Sequence, residues 1–214
     1  MKHSYNKGFT LAEVLVTLGI IGVVSAMTIP TLVKNHQRTV YVTQLKKVVT
    51  ELAQAAEKAT SDNNAVSLDE TKYRREGGAA NFLKDYFKIA RDCGESATPC
   101  FADSYETMSG DAFTLEGPIV AVALASGSSI LIYDNSLLYD AEYHGYLGMQ
   151  VDVNGQQGPN ILGRDLFHLE LYSDGTIGDS YNSDHSDSCL GDKVATYGVG
   201  CFDKVVNDGW QMDY

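Results

Sequence analysis

The chain has 214 residues, of which 44% are hydrophobic and 21% charged, and its 16 Lys and Arg against 28 Asp and Glu give a formal net charge of -12. These values are typical of one domain, or one domain with an extension, and they exclude a disordered chain. A duplex DNA-binding protein is also unexpected, because affinity for the phosphate backbone comes mainly from Lys and Arg. Only one stretch is apolar enough to span a bilayer, which excludes a polytopic membrane protein.

Charge is distributed unevenly along the chain. The formal charge is +1 over residues 1–33, +4 over residues 34–91 and -17 over residues 92–214. A strongly acidic C-terminal region therefore follows a neutral or basic N-terminal region.

An apolar segment at residues 9–33 contains a single ionisable side chain, that of Glu13. At about 1.5 Å per residue this segment makes a helix of roughly 37 Å, which is long enough to cross a bilayer. The preceding residues 1–8 are short and basic, which favours a cytoplasmic N-terminus with everything after about residue 34 on the opposite side. Because a carboxylate is costly inside a membrane, Glu13 is a candidate functional residue.

A short motif leads into this apolar segment: Gly8-Phe9-Thr10-Leu11-Ala12-Glu13. The motif and the helix after it resemble the type IV prepilin signature that pilins and type II secretion pseudopilins share. The resemblance implies that a prepilin peptidase cleaves between Gly8 and Phe9 and methylates the new amino terminus of Phe9. It also implies that Glu13 pairs with the amino terminus of a neighbouring subunit during assembly. The alternative is a plain membrane anchor that tolerates Glu13 near the interface.

Glycine and proline interrupt the apolar helix. Gly19 and Gly22 weaken the helix and Pro30 lacks a backbone donor, so we expect a kink or a melted turn within residues 19–30. Glycines also let neighbouring helices approach closely. The alternative is that these residues have no special role, because both types are common in membrane helices.

The helical pattern continues beyond the apolar segment in an amphipathic form. Apolar residues recur at spacings of three and four as far as about residue 60, which predicts a second, amphipathic half of the helix at residues 34–60. The stripe consists of Leu45, Val48, Val49, Leu52, Ala55, Ala56 and Ala59. We expect this stripe to pack against a sheet.

The remaining residues 61–214 are predicted to form a globular α+β head. A short amphipathic helix is expected at residues 79–92. Alternating or continuous apolar runs then predict strands at residues 112–115, 119–125, 129–133, 146–153 and 166–173. The fold class is α+β, with a long N-terminal helix packed on an antiparallel sheet of about four strands. This is also the pilin-like fold that the N-terminal resemblance implies.

Four cysteines lie in the acidic region: Cys93, Cys100, Cys189 and Cys201. Their spacing does not match the tight pairs of zinc sites. The even count favours disulfides formed in an oxidising compartment, with free buried thiols as the alternative. Among three connectivities we expect Cys93 with Cys100 and Cys189 with Cys201, because short loops close most readily.

A segment rich in oxygen ligands and turn-forming residues spans residues 152–165. Asp152, Asn154 and Asp165, together with backbone carbonyls, form a candidate Ca2+ site, although the segment is not an EF-hand loop. The resemblance adds weight, because some pseudopilins bind calcium in their C-terminal loops. The alternative is a structural connection between strands, with a turn at Asn154-Gly155 that Asp152 caps. No other cofactor is expected.

The residues and the resemblance together predict a structural subunit of a type II secretion pseudopilus or a type IV pilus. The alternatives are a minor pilin-like subunit for calcium-dependent binding, adhesion or competence, and a membrane-tethered periplasmic enzyme. Scattered Ser, His and Asp residues form no catalytic motif, so we expect no enzymatic activity.

The resemblance also implies partners and a location. The partners are a prepilin peptidase, identical or related pilin subunits in a helical filament, and an inner-membrane assembly platform, with no nucleic acid. The precursor is expected to cross the inner membrane once, with its head outside the cytoplasm, before it enters a periplasmic or extracellular filament. Acidic heads in that filament would repel one another unless bound cations or a neighbour's residues 34–91 compensate.

Overall fold

The computed structural model describes residues 9–135, 145–180, 186–190 and 198–214. Gly8 and the rest of the expected leader, residues 1–8, lie outside the described residues. The chain divides into two compact units, Met1–Thr39 and Val40–Tyr214.

The longest element is helix α1, Leu11–Asp62, which is 52 residues long and has Pro30 inside it. Every residue from Gly19 to Pro30 is helical, so the melted turn expected there is absent. A proline removes one backbone hydrogen bond, and here the helical ladder continues on both sides of it. The helix ends at Asp62, close to the predicted end at about residue 60, and Asn64 just after it adopts a positive φ of 49°.

Within the second unit, α1 buries the predicted apolar stripe. The buried residues of the helix are Tyr41, Val42, Leu45, Val48, Leu52, Ala55, Ala56 and Ala59. They belong to one hydrophobic core with side chains of the sheet such as Val122, Met149 and Leu169. The prediction of a helix packed on a sheet is confirmed.

The main sheet has six antiparallel strands in the order β1-β4-β5-β6-β7-β8. These strands are β1 Ile89–Gly94, β4 Val120–Leu124, β5 Ser129–Asn135, β6 Tyr146–Asp152, β7 Leu166–Tyr172 and β8 Ile177–Gly178. Two further strands, β2 Tyr105–Glu106 and β3 Ala112–Phe113, pair with each other. The α+β class is confirmed, and the sheet has more strands than the four expected.

One predicted boundary was wrong. The helix expected at residues 79–92 is only α2, Gly78–Tyr86, and the chain then becomes strand β1. Strand β1 pairs with β4, for example Ile89 with Leu124. Its backbone hydrogen bonds therefore come from a distant part of the chain, and this tertiary pairing overrides the local helical spacing of Leu83, Phe87 and Ala90.

The two faces of the sheet have different compositions. The inner face carries apolar residues that join the core with α1, whereas register places Gln150 opposite His168 on the outer face. At one end this outer face is apolar, and Leu131 and Leu166 pack there with Phe101. At the other end it is polar and includes Glu170.

Both predicted disulfides are present, Cys93–Cys100 and Cys189–Cys201. The second bridge is buried and joins Cys189 to the first residue of helix α3, Cys201–Asn207. Buried Asp179 caps the same helix, since its Oδ2 accepts hydrogen bonds from the backbone N–H groups of Gly200 at 2.8 Å and Asp203 at 2.9 Å.

Removing the buried bridge is expected to destabilise the head. A bridge that closes a loop of this size contributes about 3 kcal/mol. Replacing both Cys189 and Cys201 by Ala should therefore lower the thermal midpoint of the full-length chain in detergent by about 6 to 12 °C. The control is the double Ala variant at Cys93 and Cys100, which opens a shorter and less buried loop and should have a smaller effect. Equal midpoints for wild type and the Cys189 and Cys201 variant would contradict the expectation.

Candidate processing and assembly site

The expected processing site lies just before the first turn of α1. Phe9 is 90% exposed and precedes the helix, which begins at Leu11. Gly8 lies outside the described residues, so cleavage between Gly8 and Phe9 stays a prediction.

Glu13 forms a reciprocal cap with Thr10 at the start of α1. Glu13 Oε2 accepts hydrogen bonds from the Thr10 backbone N–H and from the Thr10 hydroxyl, both at 2.8 Å. In return, the Glu13 backbone N–H donates to Thr10 Oγ1 at 3.2 Å. This capping box satisfies donors that a helix start leaves without partners. The capping box was not predicted, although Thr10-Leu11-Ala12-Glu13 has the required spacing.

The capping box fixes where the carboxylate of Glu13 lies. It holds the carboxylate beside the backbone of Thr10, the residue next to the expected new amino terminus at Phe9. Within the part of the chain that the structure describes, Glu13 Oε1 makes no hydrogen bond, so this oxygen is open to an added donor.

The first part of α1 exposes a continuous apolar surface. Side chains between 48% and 78% exposed are Leu11, Leu15, Val16, Leu18, Ile20, Ile21, Val23, Val24, Met27, Ile29, Leu32 and Val33. Among the described residues, α1 is the one helix long and apolar enough to cross a membrane. An apolar surface of this extent requires lipid or other helices around it.

Two threonine hydroxyls in this segment are satisfied within the helix. Thr17 Oγ1 donates to the Glu13 carbonyl at 2.9 Å, and Thr28 Oγ1 donates to the Val24 carbonyl at 2.9 Å. These side chains therefore need no water, as a membrane environment demands. A side chain at Gly19 or Gly22 would meet nothing within 4 Å, so both glycines leave open notches for a neighbouring helix.

The structure brings together the residues of the candidate calcium segment. Asp152 Oδ1 accepts from the Asn154 N–H at 3.0 Å, and Asp152 Oδ2 accepts from the Tyr105 hydroxyl at 2.6 Å. Asp165 Oδ2 accepts from the Asn160 N–H at 2.8 Å, and Asp165 Oδ1 accepts from the Ile161 N–H at 2.7 Å. All four carboxylate oxygens thus serve as acceptors within the protein.

These contacts match the structural role that was the alternative to calcium. Asp152 caps the turn, and Gly155 has the positive φ of 70° that glycine favours. A Cβ at Gly155 would also lie 2.9 Å from the Gly127 carbonyl oxygen. Among the described residues no group of three or more His, Cys, Asp or Glu is arranged to hold a metal ion.

Burial dominates the electrostatics of this segment. Asp152 and Asp165 are both 0% exposed. Desolvation raises the pKa of Asp152 to about 7, and the nearby charge of Asp165 adds to the effect, while the hydrogen bond from Tyr105 opposes it. Burial likewise raises the pKa of Asp165. A cation would compensate these charges, and in its absence the protonated acid is favoured.

Calcium binding at Asp152, Asn154 and Asp165 stays a prediction with a direct test. If the site binds Ca2+, millimolar Ca2+ should raise the thermal midpoint of the full-length chain, because a ligand that binds only the folded state stabilises it. Asp152→Ala should lose that shift, while Asp213→Ala, at an exposed carboxylate, should retain it. A midpoint that does not respond to Ca2+ would remove the prediction.

Comparison with known proteins bears on the N-terminal segment. The prokaryotic N-terminal methylation motif matches residues 3–29. No curated protein and no solved structure matches the chain. The match coincides with Phe9, the capped Glu13 and the exposed apolar part of α1. A methylation motif followed by a long apolar N-terminal helix, ahead of a helix-on-sheet head, fits a type IV prepilin-like protein.

Proposed function

We propose that the chain is a structural subunit of a type II secretion pseudopilus or a type IV pilus, and not an enzyme. It is made as a precursor, cleaved after Gly8, methylated on Phe9 and assembled through α1. The observation that carries the proposal is the methylation motif at residues 3–29, which continues directly into an exposed apolar helix. Proteins of the type IV pilin kind that carry this motif are structural rather than catalytic.

The chemistry of assembly centres on Glu13. Cleavage creates an α-amino group on Phe9, whose pKa of about 8 leaves it positively charged at neutral pH. When helices pack and exclude water, an isolated carboxylate or amine is costly, and a charge-assisted pair offsets part of that cost. Glu13 pairing with the amino terminus of a neighbour would therefore favour one register of packing over others.

The capping box supports this proposal because it limits where the carboxylate can lie. Thr10 holds one oxygen of Glu13, and the other is open to a donor. An incoming amine therefore meets a carboxylate that is already positioned, and its binding does not require the first turn of the helix to unwind.

The proposed pathway assigns partners to each stage. The precursor is anchored in the inner membrane by the apolar part of α1, where a prepilin peptidase processes it. An assembly platform then moves it into a filament of identical or related subunits, with the head outside the cytoplasm.

Abundance in sheared filaments tests this role. The processed chain should be recovered in the filament fraction of cells that make it, and should be missing from that fraction when the assembly platform is deleted. Recovery as the main protein indicates a major subunit, and recovery in trace amounts indicates the minor subunit of the alternative. A processed chain that stays entirely in the membrane fraction would contradict the proposal.

A further inference from the structure

An acidic cleft lies on the polar end of the outer face of the sheet. Its volume is about 330 Å3. The residues that line it are Glu116, Tyr133, Asp134, Tyr146, His168, Glu170 and Val199. It lies entirely in the second unit and includes none of the residues assigned above to processing, assembly or calcium.

Glycine at position 148 makes the cleft possible. Gly148 on β6 lies between Asp134 on β5 and Glu170 on β7 in the strand register. A Cβ at this glycine would lie 3.1 Å from both the ring and the hydroxyl of Tyr133. The missing side chain lets Tyr133 lie across the strand, where its hydroxyl is 3.2 Å from His168 Nδ1.

A buried histidine faces this cleft with one nitrogen unsatisfied. His168 is 1% exposed, and its Nε2 makes no hydrogen bond in the described part of the chain. Glu170 Oε1 lies 3.5 Å from that nitrogen, while the other oxygen of Glu170 accepts a hydrogen bond from the Tyr172 hydroxyl. A buried polar atom without a partner is costly, so Nε2 and Glu170 Oε1 together form a prepared position for an added group.

The charge of the cleft indicates that the added group is a cation. Three carboxylates, those of Glu116, Asp134 and Glu170, line it, and no Lys or Arg among the described residues forms an ion pair with any of them. Burial, followed by these negative charges, raises the pKa of Tyr133.

The arrangement of ligand atoms in the cleft favours an organic cation over a metal ion. No cluster of three or more metal-ligating side chains occurs within the described ranges. A guanidinium or ammonium group instead needs several acceptors spread over a larger volume, which separated carboxylates and a cleft of this size provide.

The chain itself carries a suitable cation in another region. Residues 34–91 have a formal charge of +4, against -17 for residues 92–214. Arg74 and Arg75 are exposed and form no ion pair with the described residues, whereas Lys72 and Lys84 are paired with acids. A guanidinium donates two parallel N–H groups to a carboxylate, which suits the acidic cleft.

We infer that the acidic cleft binds a basic side chain from residues 34–91 of a second copy of the chain, with Arg74 and Arg75 as the preferred donors. The inference rests on the proposed function, because the second copy is a neighbour in the filament. The contact would relieve the repulsion between acidic heads.

Carbodiimide crosslinking of sheared filaments tests the inference, because this reagent joins a carboxylate to a lysine amine in contact with it. The full-length chain carrying R74K and R75K makes both candidate donors reactive. We expect a covalent dimer whose crosslinked peptides join Glu116, Asp134 or Glu170 to a lysine within residues 34–91. The inference would be overturned if the crosslinks in the dimer involved none of these three carboxylates. It would also be overturned if the same crosslinks were found in the monomer band, or if the carboxylates were crosslinked to a different protein.

A matched pair of variants supplies a second readout that does not depend on crosslinking. Asp134→Asn removes one charge from the cleft, and Asp213→Asn removes one from the exposed acidic surface. We expect several-fold fewer filaments from Asp134→Asn at an equal level of processed subunit, and no change from Asp213→Asn. Equal yields from both variants would overturn the inference alone, whereas a wild-type chain that forms no filaments would overturn the proposed function itself.

Discussion

Replacing Glu13 by Gln is expected to leave membrane insertion and cleavage intact while lowering incorporation into filaments by about tenfold or more. The physical reason is that a buried amine left without its carboxylate is much more costly than a lost surface pair. Glutamine retains the capping box, because its amide oxygen can accept the same hydrogen bonds from Thr10. The variant therefore removes the charge and keeps the start of the helix.

Thr10→Ala is the matched control for this variant. It removes the hydroxyl from the capping box at a cost of about 1 kcal/mol to the helix start, and it keeps the charge of Glu13. Near-normal incorporation is expected. The readout for both variants is the amount of subunit in sheared filaments relative to the processed subunit in the membrane.

Two outcomes would contradict the role assigned to Glu13. Normal filament yield from Glu13→Gln would show that its charge is not required. An equal loss of filaments from Thr10→Ala, which keeps the charge of Glu13, would show that losing a capping contact is by itself enough to block assembly.

Raising the pH from 5 to 8 is expected to destabilise the head. The pKa of Asp152 and the pKa of Asp179 are each raised to about 7, mainly because both side chains are buried. A folded-state pKa above the unfolded value near 3.9 means that the folded state binds the proton more tightly. The resulting stability is fully present below about pH 4 and is lost as the pH rises through about 7.

The expected loss between pH 5 and pH 8 is about 2 kcal/mol for each of these two carboxylates. Salt bridges lower the pKa of Asp85 and of Asp92. The stability that these two carboxylates contribute is therefore lost only on acidification below pH 5, outside the range from pH 5 to pH 8. The thermal midpoint of the full-length chain in detergent should therefore fall by about 8 to 16 °C between pH 5 and pH 8.

Asp152→Asn isolates the contribution of this one carboxylate to the pH dependence of stability. The amide resembles the protonated acid in shape, and the Tyr105 hydroxyl can rotate to suit it. We expect the fall in midpoint to be reduced but not abolished, because Asp165 and Asp179 keep their raised pKa values, while Asp213→Asn should show the full wild-type fall. A wild-type midpoint that rises from pH 5 to pH 8 would contradict the assignment.

Periodic patterns in the sequence were sufficient to predict the main elements of the head. The stripe from Leu45 to Ala59 has helical spacing because one face of α1 is buried against the sheet. Strands β6 and β7 were predicted closely because each is an apolar run bounded by turn residues. The disulfide pairing followed from loop length alone.

Long-range contacts explain what the patterns did not show. Residues 89–94 have no strong strand pattern and become β1 only because β4 supplies their hydrogen-bond partners. The acidic cleft depends on the register of three strands and on a glycine, Gly148, in the middle strand. Alternation of His168, Glu170 and Tyr172 along one strand was the available signal, and it cannot show which residues of other strands complete the cleft.

The N-terminal motif was predicted only in part. Gly8, Phe9 and Glu13 were recognised from local sequence, and the methylation motif match covers the same residues. The capping role of Thr10 was missed, although it too is local, because Glu13 was interpreted only through its pairing with another subunit.

The central claim is that the chain is a prepilin whose leader is removed after Gly8. The mass of the protein purified from cells with and without a prepilin peptidase tests it most directly. With the peptidase, the mass should correspond to residues 9–214 plus one methyl group on Phe9, and without it to the uncleaved chain. A full-length, unmethylated protein in both cells would contradict the account.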